Sequence, residues 1–589
     1  MNRPPDIGAA PTDWSLIKRV WPYVKPVWPF YVTALVLAPF SAVVAILQPW
    51  LLKVAIDDHI MKGDAQGLQW IALAFLGLAV ASWVIEASYM LAVANGAMRT
   101  ITLLRTHIFQ HTMSLSRSFF DRQPVGRLMT RATSDVEALG ETLTAGSVTI
   151  FLDILKVVGI IAAMLYLDPW LTLVMLVISP LVFIVLETIR KILRRLYLEV
   201  RTSLSELNAF TAERLNGLEI VQLYGDEGRA KRMYNQRVLR YRNAAIQTNI
   251  YDAALYAIMG GLRAITMALM LWYGSGGLLG GVVTAGLLAA FIEYVDRLYR
   301  PIQEFSAKIA IIQRATAALE KIFGLLGLTE QVEEGSVELD RQNLHIAVED
   351  LYFSYLQGTD IIKGISLDVK PGAVVAIVGR TGSGKTTLGR LLTRDYDGYR
   401  GSIKVGEYEL HDVSIQSLRS TVHTVRQDVE LFADTVRFNV ALGAERTDEQ
   451  LWEAIRLAQA EEVVQQLGGL DGKLMNKGSN LSVGEGQLLA IARVMVHDAP
   501  IVILDEATAN VDSITESRIQ KATAALLERK TVLVIAHRLS TIIHADVIIL
   551  MDGGTVLESG THAQLMENAG PYADLFQRQF ASLTVKAEG

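Results

Sequence analysis

The residues best suited to chemistry form one glycine-rich stretch in the second half of the sequence. Residues 379–386 read Gly-Arg-Thr-Gly-Ser-Gly-Lys-Thr, which satisfies the pattern G-x-x-x-x-G-K-[ST]. The stretch directly follows the apolar run at 374–378 and precedes a helix-like run at 387–393. In such a loop the backbone N–H groups surround phosphates, Lys385 reaches the β- and γ-phosphates, and the Thr386 hydroxyl binds Mg²⁺. The pattern therefore predicts a nucleotide-phosphate site, and a chance glycine-rich turn is the weaker interpretation.

A second candidate lies where another apolar run meets two acidic residues. Residues 501–504 read Ile-Val-Ile-Leu and are followed by Asp505 and Glu506. Asp505 is suited to organise Mg²⁺, and Glu506 is suited to act as the general base on an attacking water molecule. A solvated strand end is the alternative, and the phosphate-loop pattern upstream disfavours it.

The sequence around these motifs resembles the nucleotide-binding domain of ATP-binding cassette (ABC) proteins. Residues 481–485, Leu-Ser-Val-Gly-Glu, are similar to the LSGGQ signature of that family and lie shortly before Asp505. The resemblance implies that Tyr355 stacks on adenine, that Gln427 touches Mg²⁺ and that His537 contacts the γ-phosphate. Catalytic roles then fall to Glu506 and His537, metal contacts to Thr386, Gln427 and Asp505, and ATP contacts to Tyr355, Gly379, Arg380, Thr381, Gly382, Ser383, Gly384, Lys385, Thr386, Thr387, Gln427, Ser482, Gly484 and Glu485.

The first half of the chain supplies apolar segments of membrane-spanning length. Six candidates occur, at 26–52, 68–98, 145–167, 169–186, 253–274 and 278–292. From residue 345 onward, short β-rich runs at 346–348, 374–378, 501–504, 532–535 and 547–550 alternate with helical stretches. The expected fold is therefore an all-α polytopic membrane domain, with six transmembrane helices and long cytoplasmic extensions, followed by an α/β P-loop ABC ATPase domain.

The distribution of arginine orients these segments. The links after the second and fourth segments are long and arginine-rich, whereas the links after the first, third and fifth are short, including a glycine-rich turn at 274–277. By the positive-inside rule the long links are cytoplasmic, which places both chain ends in the cytoplasm. We expect a multi-pass protein of the inner (plasma) membrane, whose residues 1–25 contain an interfacial elbow helix.

The resemblance extends to ABC exporters, in which six spans are fused ahead of one cassette. It implies a transmembrane domain at 26–325, a linker at 326–344 and a nucleotide-binding domain at 345–589. Two cytoplasmic links resemble the intracellular loops of exporters, and the short coupling helices at their tips would fall near 114–121 and 204–211.

A dimer is implied because ABC cassettes close head to tail around two ATP molecules. Ser482 and Gly484 would then complete the site of a partner chain. The sequence departs from the family pattern at Glu485, where glutamine is usual, and at residues 475–478, where exporters are commonly acidic. These departures, together with the run 480–485, resemble one half of bacterial heterodimeric multidrug exporters. We expect a second ABC half-transporter as the partner, a heterodimer being favoured over a homodimer.

The sequence limits the substrate only by class. Glu86 and Arg263 are candidate cavity residues because charges within membrane spans are commonly functional. Asp153 and Lys156 are expected to pair with each other on one helix face. A net charge of −6 argues against a nucleic-acid partner, and the apolar segments argue against a soluble ABC ATPase. Export of an amphipathic drug or lipid in contact with membrane lipids is expected, with a peptide or other small-molecule exporter, or an ATP-gated channel, as alternatives.

Overall fold

The computed structural model describes residues 13–279, 283–330, 332, 334–342, 344–355, 358–505, 511–528, 530–536 and 539–584. Contacts divide the chain into two compact units. The helical unit comprises Met1–Met113 and Val125–Leu328, and the α/β unit comprises Ser114–Pro124 and Thr329–Gly589. The short segment Ser114–Pro124 thus belongs to the α/β unit although it lies inside the sequence of the helical unit. The exact boundaries of the functional domains stay a prediction.

Six long helices dominate the helical unit. Three of them have 49, 48 and 53 residues, which corresponds to roughly 70–80 Å and exceeds the thickness of a hydrocarbon core more than twofold. The prediction that the membrane helices continue as long rods is therefore confirmed. The helices, including the short α4 of the α/β unit, are α1 (Asp13–Val24), α2 (Trp28–Val54), α3 (Ala65–Met113), α4 (Arg117–Arg122), α5 (Val125–Thr130), α6 (Val136–Glu141), α7 (Ser147–Leu167), α8 (Pro169–Asn216), α9 (Leu218–Leu223), α10 (Glu227–Leu279) and α11 (Ala285–Leu326).

Five of the helical stretches in the described residues are long and apolar enough to cross a membrane. They are Lys18–Ile60, Ala65–Met113, Val125–Leu167, Pro169–Asn216 and Glu227–Leu278. The sixth predicted segment, 278–292, is wrong in its bounds because it joins the end of α10 to the start of α11. The glycine-rich turn predicted at 274–277 is likewise part of α10. Helix α11 itself falls outside the five because acidic and basic side chains recur along it.

Local hydrogen bonds explain where two of these helices begin. The Asp168 carboxylate accepts hydrogen bonds from the N–H groups of Trp170 and Leu171, so α8 starts directly after α7 ends. At the start of α11 the Thr284 hydroxyl accepts from the N–H of Leu287, while Asp57 accepts from the Thr284 hydroxyl at 2.5 Å. An N-cap therefore separates α10 from α11, and hydropathy alone does not reveal it.

Two charges that the sequence places within membrane-spanning segments pair between helices. Lys308 of α11 donates to Asp153 of α7, so the predicted pairing of Asp153 with Lys156 is wrong. Arg263 of α10 donates to Asp296 of α11. Spacing along one helix shows which residues share a face. It does not show whether an opposite charge on a neighbouring helix forms the ion pair instead.

The two predicted coupling helices have different outcomes. The short helix α4 overlaps the first predicted position, and its segment packs in the α/β unit, where Phe119 is buried and the Ser116 N–H donates to the Glu330 carbonyl at 2.9 Å. The second position, 204–211, is an uninterrupted part of α8. The chain departs from α8 only at Gly217, and the separate short helix at this tip is α9.

The α/β unit contains two sheets. The strands are β1 (Ile346–Phe353), β2 (Ile362–Val369), β3 (Val374–Gly379), β4 (Arg400–Val405), β5 (Tyr408–Glu409), β6 (Val422–Val425), β7 (Ile501–Asp505), β8 (Thr531–Ile535), β9 (Val547–Asp552) and β10 (Thr555–Gly560). An antiparallel sheet has the order β2-β1-β4-β5. The second sheet has the order β10-β9-β3-β8-β7-β6 and is parallel except for β10. The predicted strands and their mainly parallel arrangement are confirmed.

Alternating side chains of the parallel strands fill two separate cores. In β3, Val374, Ala376 and Val378 pack on one side, and Val375 and Ile377 pack on the other. Because both faces are covered, these strands read as continuous apolar runs in the sequence. The helices that follow β3 in this unit are α12 (Lys385–Leu392), α13 (Ile415–Thr421), α14 (Val436–Ala441), α15 (Asp448–Leu457), α16 (Glu461–Gln466), α17 (Val483–His497), α18 (Ser513–Leu527), α19 (Leu539–Ile543), α20 (His562–Glu567) and α21 (Pro571–Thr584).

Candidate nucleotide site

The glycine-rich loop joins the carboxyl end of β3 to the start of α12. Gly384 caps α12 with φ at 101°, a left-handed conformation that glycine adopts without strain. Gly379 has φ at 151°, and a Cβ there would lie 2.1 Å from the carbonyl oxygen of Met551. The loop can therefore take this path only with glycine at these two positions. Strand, loop and helix occur in the order that the sequence pattern requires.

Lys385 is folded back across this loop. Its side chain is buried, with 6% exposed, and its Nζ donates to the carbonyls of Gly379 at 2.8 Å and Arg380 at 2.9 Å. Burial lowers the pKa of Lys385, and the charge of Asp505 acts in the opposite direction. The nearby Ser383 hydroxyl is buried with no partner among the described residues. A buried ammonium group and an unsatisfied hydroxyl at the start of a helix fit the phosphates of ATP.

A cavity of about 290 Å³ lies beside the loop. Thr386, Gln427 and Asp505 all line it, so the three residues predicted to contact Mg²⁺ share one space. Oxygen atoms from a hydroxyl, an amide and a carboxylate are the donors that Mg²⁺ prefers. The cavity therefore fits a magnesium ion. At this position the metal would lie next to the phosphates and stabilise their negative charge.

Tyr355 lies over the first turn of α12. Its hydroxyl is 3.1 Å from the hydroxyl of Thr387, and the residue is 40% exposed, which leaves part of its surface open to a base. The ring centroid lies 5.1 Å from that of Phe353 and 5.0 Å from that of Tyr396, both at nearly perpendicular angles. This aromatic cluster fixes the orientation of the Tyr355 ring.

Tyr396 is a residue of this cluster that sequence reasoning missed. It is buried, with 5% exposed, and its hydroxyl donates to the carboxylate of Asp121 in the segment Ser114–Pro124. Tyr355, the residue predicted to contact adenine, therefore packs on a ring that itself contacts that segment. The pattern of the surrounding sequence gives no signal for this role, because the two partners are 275 positions apart.

The signature residues begin helix α17. Ser482 is the N-cap: its hydroxyl accepts from the Glu485 N–H at 3.3 Å, and the Glu485 carboxylate accepts from the Ser482 N–H at 2.7 Å. A Cβ at Gly484 would lie 2.4 Å from the Thr515 side chain, so glycine lets α18 pack closely here. The unusual Glu485 thus completes a capping box. A glutamine side chain could accept the same hydrogen bond without the negative charge.

The remaining predicted site residues either lie outside the described residues or belong to the helical unit. Glu506 and His537 lie outside the described residues. The two candidate cavity residues lie in the helical unit, where Glu86 is exposed and Arg263 is paired with Asp296. The structure thus brings the phosphate loop, Tyr355, Gln427 and the Asp505 strand into one site, and it does not bring Glu86 to Arg263 through any described contact.

Comparison with known proteins agrees with this architecture. The model of the ABC transporter transmembrane region matches residues 31–302, and the ABC transporter model matches residues 362–509. An ATP-dependent lipid A-core flippase of Thiobacillus denitrificans is 32% identical over 97% of this chain and 100% of its own length. A protein of the same description from Alkalilimnicola ehrlichii is 32% identical over 98% of each chain. An uncharacterized ABC transporter ATP-binding protein of Bacillus subtilis, YknV, is 33% identical over 81% of this chain and 80% of its own.

Two independent lines therefore agree. The geometry shows a phosphate loop with its buried lysine in an α/β unit, joined in one chain to helices of membrane-spanning length. The family models cover both parts in the same order, and relatives match them over nearly the full length. The chain belongs to the ABC transporter family, as an exporter-type half-transporter in which ATP hydrolysis is coupled to transport across a membrane.

Proposed function

We propose that this chain moves an amphipathic lipid-like molecule between the leaflets of the inner membrane, as one half of a dimer. The observation that carries the proposal is Lys385, buried and folded over a phosphate loop in a chain that also contains the membrane-spanning helices. Relatives that match over nearly the full length are named lipid A-core flippases, which supports a lipid substrate. The arginine-rich links support cytoplasmic chain ends.

The residues of the site have separable roles in this proposal. Lys385 and the loop N–H groups hold the phosphates of ATP, and the ring of Tyr355 stacks on adenine. Thr386, Gln427 and Asp505 would hold Mg²⁺, which would supply positive charge beside the phosphates. Glu506 orients and deprotonates the attacking water molecule, and His537 contacts the γ-phosphate.

The helical unit supports a dimeric assembly. At the tip formed by α8 and α9, a group of large apolar side chains is exposed; its members are Leu215, Leu218, Ile220, Leu223 and Tyr224. Such a concentration of exposed apolar surface marks a protein contact. We assign this contact to a second half-transporter, because one cassette cannot form the proposed head-to-tail nucleotide site alone.

The signature favours a partner of different sequence. In a head-to-tail dimer the start of α17 would face the γ-phosphate held by the other chain. The carboxylate of Glu485 adds a negative charge at that helix start, where it opposes the attraction between the helix dipole and phosphate. The site built from this chain's signature is therefore the weaker of two unequal sites. In a homodimer both sites would carry this penalty.

The substrate proposal is tested in liposomes that contain the purified transporter with its partner. Fluorescently labelled lipid A should change leaflet in an ATP-dependent manner, and a labelled peptide should not. Glu506→Gln should retain ATP binding and lose both hydrolysis and lipid movement. Full ATPase activity in that variant would remove Glu506 from its assigned role. ATP-dependent movement of the peptide without movement of lipid would reject the lipid substrate.

The dimer proposal is tested by cross-linking. Since the chain contains no cysteine, single cysteines can be placed at Ser482 and at Arg380 of the phosphate loop without a background reaction. With ATP bound, cross-links should form between chains. A homodimer predicts cross-linking when both substitutions are expressed in this chain alone, whereas a heterodimer requires the second half-transporter. No cross-link in any nucleotide-bound assembly would reject the composite site.

A further inference from the structure

The α/β unit contains a second cavity that the nucleotide site does not use. It has a volume of about 640 Å³, which is within the range of small-molecule sites. Its walls come from the segment before β1, from α13 and β6, and from the ends of α14 and α17. The polar side chains that line it include Glu334, Arg341, Arg419, His423 and His497.

Two histidines form one wall of this cavity. The ring centroids of His423 and His497 lie 4.8 Å apart, with the ring planes inclined by 41°. The backbone of Arg419 acts on the His423 ring, and the backbone of Ala441 acts on the His497 ring. Because both histidines line the cavity, a ligand there can contact either ring.

The charge around the histidines is positive. The Arg341 guanidinium donates to the Asp498 carbonyl at 2.8 Å, and Arg419 adds a second positive charge to the lining. The Asp498 carboxylate accepts from Lys530 at 2.7 Å, and Glu334 is the acidic side chain among the residues that line the cavity. Further basic groups act on the histidines from packed elements: Lys530 and Arg341 on His423, and Arg446 and Arg493 on His497.

This charge selects between two classes of ligand. A transition metal would need more ligands than two imidazoles, and the described residues contain no group of three or more His, Cys, Asp or Glu that could hold a metal ion. The arginines would also repel a cation. A phosphate group, in contrast, matches the fork of donors on each guanidinium. The favoured ligand is therefore an anion.

We propose that this cavity binds a small molecule that carries a phosphate group. Arg341 and Arg419 hold the phosphate, and the histidine pair takes up a proton from solvent when the molecule binds. Burial lowers the pKa of His423 to about 4 and also lowers the pKa of His497, so burial disfavours the charged form of both rings. A nearby dianion favours the protonated ring, and the proton then makes a ring nitrogen a donor to phosphate. Binding should accordingly strengthen as the pH falls from about 8 to 6.

The site has a structural link to the nucleotide site. Arg419 lines both this cavity and the smaller cavity that holds Thr386 and Asp505. It lies in α13, which ends directly before β6, the strand that carries His423. A ligand that draws the Arg419 side chain toward the histidines therefore changes the charge beside the proposed magnesium site. This places the cavity in a position to regulate ATP hydrolysis.

Calorimetric titration of the full-length chain in detergent tests the proposal. The titrations use a Lys385→Ala background, which weakens anion binding at the phosphate loop, and the Arg341 variant described below separates the remaining loop binding from binding in the cavity. Sulfate is the probe for proton uptake because its charge is constant across the pH range, and the protein is titrated in two buffers of different protonation enthalpy. We expect binding with net proton uptake and an affinity that increases at lower pH.

Matched variants separate the roles of the residues. Arg341→Gln should weaken sulfate binding about tenfold or more, because a charged hydrogen bond to the anion is lost. His423→Gln should retain part of the binding and reduce the proton uptake. Arg456→Gln, an exposed arginine that does not line the cavity, should leave both unchanged. Absence of sulfate binding, equal affinity in the Arg341 and Arg456 variants, or binding without proton uptake would each overturn the proposal.

Two further probes identify the source of the phosphate. Because the cavity is much larger than one phosphate group, glycerol 3-phosphate should bind more tightly than inorganic phosphate if the ligand is an organic phosphate. Equal affinities would support free phosphate, such as that released by ATP hydrolysis. Failure of both probes to bind would contradict a phosphate site even if sulfate binds.

Discussion

Replacing Tyr396 by phenylalanine should loosen the segment Ser114–Pro124 while leaving the aromatic cluster intact. The substitution removes one hydroxyl, which donates to the Asp121 carboxylate, and keeps the ring that packs against Tyr355 and Phe353. The nucleotide contacts therefore stay in place. The expected change is confined to the attachment of the segment, so the variant isolates one interaction.

The structure gives the size of the effect. A hydrogen bond to a charged group contributes about 1.5–3 kcal/mol, and the lower end applies here because Asp121 is partly exposed. A second side-chain attachment, between Arg122 and Glu330, has side chains 59% and 39% exposed, and such surface pairs contribute at most about 1 kcal/mol. Loss of about 1.5 kcal/mol corresponds to roughly a tenfold rise in the open population of the segment.

Hydrogen exchange followed by mass spectrometry measures this population directly. Peptides that cover Ser114–Pro124 should exchange about tenfold faster in Tyr396→Phe, with the Ser116 amide as one reporter because it donates to the Glu330 carbonyl. Tyr399→Phe is the matched control: the Tyr399 hydroxyl is buried with no partner among the described residues, so its removal should be neutral or stabilising. Equal exchange of the segment in both variants would refute the reasoning.

Three further substitutions have expected outcomes. Burial holds the pKa of His423 near 4, whereas the histidine of an unfolded chain has a pKa near 6.5. As the pH falls from about 6.5 to 4, the unfolded state binds a proton that the folded state does not, and the free energy of unfolding declines by about 2–3 kcal/mol. His423→Gln should flatten this decline in thermal unfolding measured across that pH range. Lys308→Met leaves the mostly buried Asp153 without its cation and should cost about 3 kcal/mol in thermal stability, and adding Asp153→Asn should recover part of the loss; no recovery would show that the pair is not coupled. Glu485→Gln should raise the ATPase rate of the dimer several-fold by removing a negative charge while keeping the capping hydrogen bond, and an unchanged rate would contradict the proposed repulsion.

The nucleotide site was the most predictable part because its chemistry is local. The phosphate loop needs a strand, a run of glycines and a helix start in immediate succession, and all three are encoded between residues 374 and 393. Strands buried on both faces were equally visible, since an uninterrupted apolar run of four or five residues is typical of a strand that is covered on both sides. For these elements the local sequence pattern and the tertiary structure require the same residue types at the same positions.

Partners from distant parts of the sequence were not predictable. Asp153 and Lys156 have the spacing of a helical pair, but Lys308 from another helix is the partner in the structure. The start of α11 was missed because Asp57, more than two hundred positions away, stabilises the Thr284 cap. Hydropathy showed a continuous apolar segment there. Spacing rules compare residues along one helix only, and they contain no information about which helix lies alongside.

Tyr396 shows why such contacts matter for the function of a transporter. An ATPase can drive transport only if a nucleotide-dependent movement reaches the membrane helices, and the chain path restricts the routes. Helix α3 ends at Met113 and α5 begins at Val125, so the intervening segment, which packs in the α/β unit, is covalently joined to both helices. Tyr396 contacts that segment through its hydroxyl and Tyr355 through its ring. In the proposed mode of adenine stacking, a shift of the Tyr355 ring would either displace Tyr396, together with the Asp121 carboxylate that it contacts, or break the aromatic contact.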